Sequence, residues 1–312
     1  MNKRVGGGGR LSLRRKKGQC VKDTEEENKS SNSTIGYGIR NDGNQCFLIV
    51  LIQVLYRNCR ELVKDTNDEN TDERELRKLL KDCCEDMDNS TTHSISITPL
   101  WSFLTSHYSY RWLSSATQDV HEVYLDLFPH LVNMSTSFQG ILCNHYRCLE
   151  CEHESIQKET FFSLSAFQCY ALTTSDRNVL QKKDKYACSY CRIKTEAQYY
   201  TSIEKIPPLL FIHSPPSSHV TPHWTWTTFP ISLSFAPTHT VQSIICHQGS
   251  TLTHGHFISY HLSSSSNLWY KCNDEHLECL QGPPWTSSSS LDFPTMASSK
   301  PYPYLSLFKN KI

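Results

Sequence analysis

Residues 46–62 constrain the fold most. Cys46 to Leu62 reads as a helix with Phe47, Leu51, Val54, Leu55 and Leu62 near one face. Ile49, Val50 and Ile52 fill the other faces, so this helix must be buried on most sides. A chain of 312 residues can supply such a core as one large domain or two smaller ones. The 31 basic and 31 acidic residues cancel, which argues against a protein built mainly to bind nucleic acid.

The residues around that helix are ordered by charge and then by periodicity. Residues 1–34 read as a disordered tail, basic up to Gln19 and then acidic and polar from Glu25 to Thr34. Arg14-Arg15-Lys16-Lys17 fits a nuclear-import signal or a plain solvated basic run. No apolar signal region follows Met1, and Phe47 to Leu55 is too short to span a bilayer. These features predict a cytoplasmic or nuclear, membrane-free chain with reduced thiols. Order is expected from Ile35. Asp72 to Cys84 reads as a second helix, and Ser115-Ala116-Thr117-Gln118 as a capping box before Val120, Val123, Leu127 and Leu131. Beyond residue 135, Leu209 to His213, Ile231 to Phe235 and Val241 to Cys246 read as strands. Helices first and strands later predict an α+β fold.

Three constellations carry chemistry. Gly38 to Phe47 is a turn-rich loop that runs straight into the buried helix with Cys46 at the junction. A helix N-terminus presents unpaired N–H groups that stabilise a thiolate. Gly43 frees the loop backbone, and Asn41 offers an amide N–H for an oxyanion. Later, Thr253 to Leu262 and Leu268 to Cys272 read as a hairpin joined by Ser263 to Asn267. Centring it on Ser265 sets His256 opposite Asp274 and Phe257 opposite Asn273. A slip of one residue exchanges these partners. Either way an amide or carboxylate orients an imidazole, which lifts His256 above His247 and His254 as a general base. Finally, Cys148-Leu149-Glu150-Cys151 and Cys188-Ser189-Tyr190-Cys191 each offer two ligands for one tetrahedral structural zinc ion. Cys143, Cys169, Cys246, Cys272 and Cys279 lack such pairing and read as core residues.

Taken in order, these segments resemble the ubiquitin-specific protease family. Gly38 to Phe47, continuing to Gln53, is similar to its cysteine box, and Gln118-Asp119-Val120-His121-Glu122 to a second family segment. Phe138 to Leu142 and the two CxxC pairs resemble its zinc-bearing fingers, and Ile206 to His213 the strand after them. His247, Gly249, Gly255-His256-Phe257, Tyr260, Trp269-Tyr270 and Asn273-Asp274 match its histidine box, and Pro303-Tyr304 to Phe308 its closing strand. The resemblance implies a papain-like fold with thumb (about 35–135), fingers (about 136–205) and palm (about 206–312). It implies Cys46 as nucleophile, His256 as base, Asn273 or Asp274 as orienter and Asn41 at the oxyanion. Gln118, Asp119, Gly255 and Phe257 would contact the tail of ubiquitin or a ubiquitin-like modifier, and the protein would act as a monomer. Gln45, Ile49 and Val50 depart from the family pattern, as does Ser214-Pro215-Pro216. They motivate an alternative, a catalytically weak scaffold that binds a ubiquitin-like protein or a signalling complex. Within the family, Leu51-Ile52-Gln53-Val54-Leu55 and Val123-Tyr124-Leu125 look most like the interferon-inducible branch that removes an ISG-type modifier.

Overall fold

The computed structural model describes residues 38–63, 71–89, 94–108, 118–132, 134–174, 177–215, 229–251, 254–286 and 301–311. The expected tail, Ser115 to Thr117 and the segment Ser217 to Thr228 lie outside these residues.

A short strand β1 (Gly38–Arg40) pairs in parallel with β2 (Ser94–Ser96) and leads into helix α1 (Cys46–Asn58). Every residue of α1 except Arg57 is buried, as an apolar pattern on all faces requires. The helix ends earlier than Leu62: Cys59 leaves helical backbone, and residues Arg60–Leu62 form a separate 3₁₀ turn. Three helices surround α1. In α2 (Thr71–Asn89) the buried positions Leu76, Leu80, Cys83, Cys84 and Met87 recur every three or four residues. In α3 (Thr98–His107) Pro99 sits in the first turn, where its missing N–H costs nothing. In α4 (Val120–Leu131) the N-cap is Asp119, whose carboxylate accepts from the His121 N–H at 2.8 Å. The capping role thus falls one residue beyond the expected box. A brief α5 (Met134–Ser137) closes this half.

Strands dominate the rest. A four-stranded sheet contains β3 (Gly140–Cys148) and β4 (Glu154–Phe161), then β6 (Asn178–Leu180) and β9 (Ala197–Lys205), in the order β4-β3-β9-β6. Between them lie β5 (Ser163–Ser165), α6 (Ala166–Thr174) and the small pair β7 (Tyr186–Ala187) and β8 (Lys194–Thr195). The large sheet adds β10 (Leu209–His213), β11 (Ser232–Leu233), β12 (Ala236–Thr251), β13 (His254–Leu262), β14 (Trp269–Asn273), β15 (His276–Leu280) and β16 (Tyr302–Asn310). Its order is β15-β14-β13-β12-β16-β10-β5, with β11 paired beside β12.

Both faces of this sheet are covered, which explains the unbroken apolar run of β10. Leu209 and Phe211 face the helices, whereas Leu210 and Ile212 face a second core with Leu142, Phe161 and Leu164. Leu305 and Leu307 against Phe308 in β16 divide the same way. The helical layer therefore rests on one face of the sheet and presses the head of α1 toward β13 and β14. Among the described residues no helix is long and apolar enough to cross a membrane.

Candidate active site

The site forms where α1 meets the ends of β13 and β14. The loop before α1 is shaped by Asn41, whose Oδ1 accepts from the N–H groups of Gly43 and Gln45, both at 3.1 Å. Gly43 has φ +135°, a backbone state that L side chains rarely adopt, so glycine is required there. The Gln45 carbonyl accepts the N–H groups of Leu48 and Ile49 and starts the helix. Cys46 then occupies the first helical position, 2 % exposed and at the positive end of the helix dipole.

His256 approaches from β13. Its Nε2 donates to Asn273 Oδ1 at 2.7 Å and lies 3.7 Å from Asp274 Oδ2. Cys46 is the ring's other neighbour, and with Nε2 engaged the nitrogen left for sulfur is Nδ1. The bond to Cys46 raises the imidazole. Burial opposes that, and Asn273 and the Asp274 charge add to it, for a result of about 9.

The hairpin register is one residue off the expected one. Ser259 pairs with Cys272 and Tyr260 with Lys271, so opposed residue numbers sum to 531. Extending the ladder sets Asn273 opposite Ile258, on the same face as His256 and diagonal to it. The diagonal neighbour is within reach of a long side chain. The amide therefore meets the imidazole across the diagonal and not directly opposite it.

Asp274 and Glu275 form the tight turn between β14 and β15, with Asp274 at φ +51°. β1 leans on this turn. The Ile39 N–H donates to the Asp274 carbonyl at 3.0 Å, and Asn41 Nδ2 donates to Asp274 Oδ2 at 3.1 Å. A Cβ on Gly38 would lie 2.2 Å from the Glu275 carbonyl oxygen, so only glycine fits. Gly38 and this turn contact were not marked as functional by the sequence, because the approach joins segments far apart in the chain.

The expected substrate residues divide. Asp119 caps α4 and its other oxygen accepts from Tyr304 OH at 2.6 Å, a partner the sequence did not reveal. Gln118 is half-buried beside it, and Gly255 is exposed. A Cβ on Gly255 would strike His247 Nε2 at 2.3 Å, so this glycine makes room for a buried ring next to His256. Phe257 corrects its expectation. It is 0 % exposed and packs on His247 and Tyr304, so its side chain belongs to the core and presents nothing to a substrate. Ile49 and Val50 are likewise fully buried in α1.

A second cluster closes the far end of the four-stranded sheet. The sulfurs of Cys148, Cys151, Cys188 and Cys191 lie within 4.8 Å of one another, with Cys148 to Cys191 at 3.9 Å and Cys151 to Cys188 at 3.8 Å. Four thiolates about 2.3 Å from a tetrahedral ion stand roughly 3.8 Å apart. The two loops are built alike. Cys148 N–H donates to His153 O and Glu152 N–H to Cys148 O, just as Cys188 N–H donates to Ile193 O and Arg192 N–H to Cys188 O. Glu152 and Arg192, at φ +58° and +61°, turn each loop at the same place. The donor set and its spacing fit a metal ion. Of the cysteines outside these two CxxC loops, Cys143, Cys169, Cys246 and Cys272 are buried and Cys279 is half-buried.

A cysteine heading a buried helix, with its imidazole and amide on a sheet packed against that helix, defines the class of papain-like folds. The chain belongs to the ubiquitin carboxyl-terminal hydrolase family, which matches it over residues 37–305. It is 31% identical over 165 residues to ubiquitin carboxyl-terminal hydrolase 4 of Arabidopsis thaliana, a stretch covering 46% of this chain and 45% of that protein. It is 30% identical over 167 residues to ubiquitin carboxyl-terminal hydrolase 46 of Caenorhabditis elegans, covering 46% and 39%. It is 28% identical over 164 residues to ubiquitin carboxyl-terminal hydrolase 12 of Salmo salar, covering 45% and 44%. The chain thus spans less than half the length of these curated relatives.

Proposed function

We propose that the chain is a thiol-dependent isopeptidase acting on ubiquitin or a ubiquitin-like modifier. The observation that carries this is the imidazole of His256 set beside Cys46 and hydrogen bonded to Asn273 at 2.7 Å. His256 holds the thiol proton, and the sulfur attacks the carbonyl carbon of the modifier's C-terminal glycine. The oxyanion is met by N–H groups at the head of α1 and by the second Nδ2 hydrogen of Asn41, the first being committed to Asp274. His256 returns the proton to the departing lysine amine. It then takes a proton from the water that hydrolyses the thioester. Asn273 orients the ring, while Asp274 supports its charge and holds Asn41.

Family membership and the names of the relatives support ubiquitin as the modifier. The interferon-induced alternative rests on Leu51 to Leu55 and Val123 to Leu125. All of these except Leu125 are buried in α1 and α4, so the matches concern core packing and touch no substrate. Incubation with C-terminally electrophilic ubiquitin and the equally armed ISG-type modifier decides both points. Capture of ubiquitin that vanishes in Cys46→Ala is expected. Capture of neither by folded protein would sink the hydrolase. The scaffold reading is favoured by Gln45, whose buried Oε1 has no hydrogen-bond partner beside the nucleophile. Binding of ubiquitin without capture would establish it.

Cys148, Cys151, Cys188 and Cys191 would hold a structural zinc ion, which supplies a cross-link between the two loops and no catalytic group.

A further inference from the structure

A buried line of polar side chains runs between α1 and the large sheet, away from the reacting atoms. It leaves α1 at Asn58, whose Nδ2 donates to Val54 O at 3.0 Å and to Ser243 Oγ at 2.7 Å. Ser243 Oγ meets His261 Nδ1 at 2.8 Å, and His261 Nε2 meets Ser259 Oγ at 2.8 Å. Ser259 stands directly opposite Cys272 on the β13–β14 ladder. The Cys272 thiol donates to Gln53 Oε1 at 3.8 Å, which returns the line to α1. Arg57 Nε also donates to that oxygen at 3.2 Å. Gln53, Ser243 and Ser259 are 0 % exposed, and Asn58, His261 and Cys272 are buried as well.

The chemistry fixes the two ends of this line. Burial drives His261 well below its ordinary range, so the ring is neutral, with one donor and one acceptor nitrogen. The Asn58 N–H can only donate and Gln53 Oε1 can only accept. Ser243 Oγ therefore accepts at one end and the Cys272 thiol donates at the other, the neutral ring joins the two serines through one donor and one acceptor nitrogen, and such networks reinforce their links. An apolar helix on an apolar sheet can slide or rotate with little penalty, whereas a buried polar chain is satisfied in one register alone.

We propose that this polar ring is a positioning device, setting the register of the Cys46 helix against the strands that carry His256 and Asn273. The geometry points to the register function because the ring begins and ends on α1 and crosses β12, β13 and β14 in turn. Cys272 directly precedes Asn273, and Gln53 lies two turns along the helix from Cys46. The inference rests on the reading of Cys46 and His256 as nucleophile and base.

The test is histidine-ring NMR on the ¹⁵N-labelled full chain, titrated with pH, in Ser243→Ala and Ser259→Ala. Each variant removes one hydroxyl bonded to His261. The expected result is a native far-ultraviolet spectrum with His256 titrating at least about one pH unit below the parent, toward the ordinary value near 6.5. A His256 titration like the parent's in either folded variant would overturn the proposal. Loss of the fold in both variants would also overturn it, since the ring would then serve folding and not register. The readout needs no turnover. If the parent fails to be captured by armed ubiquitin, the hydrolase reading fails while this titration still decides the role of the ring.

Discussion

His256 is pulled in two directions. Hydrogen bonding to Cys46 raises its proton affinity, burial lowers it, and Asn273 and Asp274 raise it again, to about 9. The folded value therefore exceeds the ordinary value of about 6.5. Its contribution to stability is fully present below that ordinary value and is lost as pH rises through about 9. In the proposed mechanism the same protonated ring is the acid for the leaving amine. kcat/KM on a fluorogenic ubiquitin substrate should hold through neutral pH and fall as pH passes about 9. Asp274→Asn removes an attractive charge, so this alkaline limb should move to lower pH, and kcat should fall by roughly tenfold or more. An unmoved limb would show that Asp274 does not act on the ring. Cys46 and His256 are marked in the sequence by a turn-rich loop entering an apolar helix and by a hairpin histidine with an amide or carboxylate near its mirrored position. Their exact partnership is not. The connector runs from Ser263 to Leu268, one residue longer than the expected Ser263 to Asn267, and that residue of register changes which partner lies opposite.

At the scale of elements, helices with a strong apolar period are readable and weakly anchored ones are not. α1, α2 and α4 were all expected. α3 buries only Leu100 and Leu104, and α6 only Ala166 and Cys169, too little to produce a recognisable face. The strand expected at Ile231 to Phe235 shrinks to Ser232–Leu233, where a register shift interrupts pairing with β12. The paired cysteine loops were readable as ligand spacing, whereas their matching left-handed turns at Glu152 and Arg192 were not. Neither residue is the glycine or asparagine that would announce one. Purified protein should carry one zinc ion per chain, by atomic absorption. Cys188→Ser should lose it and melt several degrees lower, since ligand binding to the folded form is folding free energy. A metal-free parent with all four thiols free would overturn that assignment.

For the whole molecule, the order of helices before strands announced an α+β chain, but not that β16 would lie between β10 and β12. Pairing at such separation leaves no local trace in sequence. The insertion matters for stability, because β10 and β16 feed both cores. Phe211 on β10 packs on Tyr124, Phe128 and Phe138, tying α4 to the sheet. Phe211→Ala should cost about 3–5 kcal/mol in denaturant unfolding, and a loss under about 1 kcal/mol would show that the two layers are not joined there. The contact between Asn41 and Asp274 spans 233 residues. On a ribosome adding roughly 5–20 residues per second, the nucleophile helix emerges ten seconds or more before the strand that orients its histidine. A nascent chain thus carries an unshielded greasy helix and an unarmed cysteine at the same time. On the proposed function, the site stays incomplete throughout synthesis until β14 has been translated.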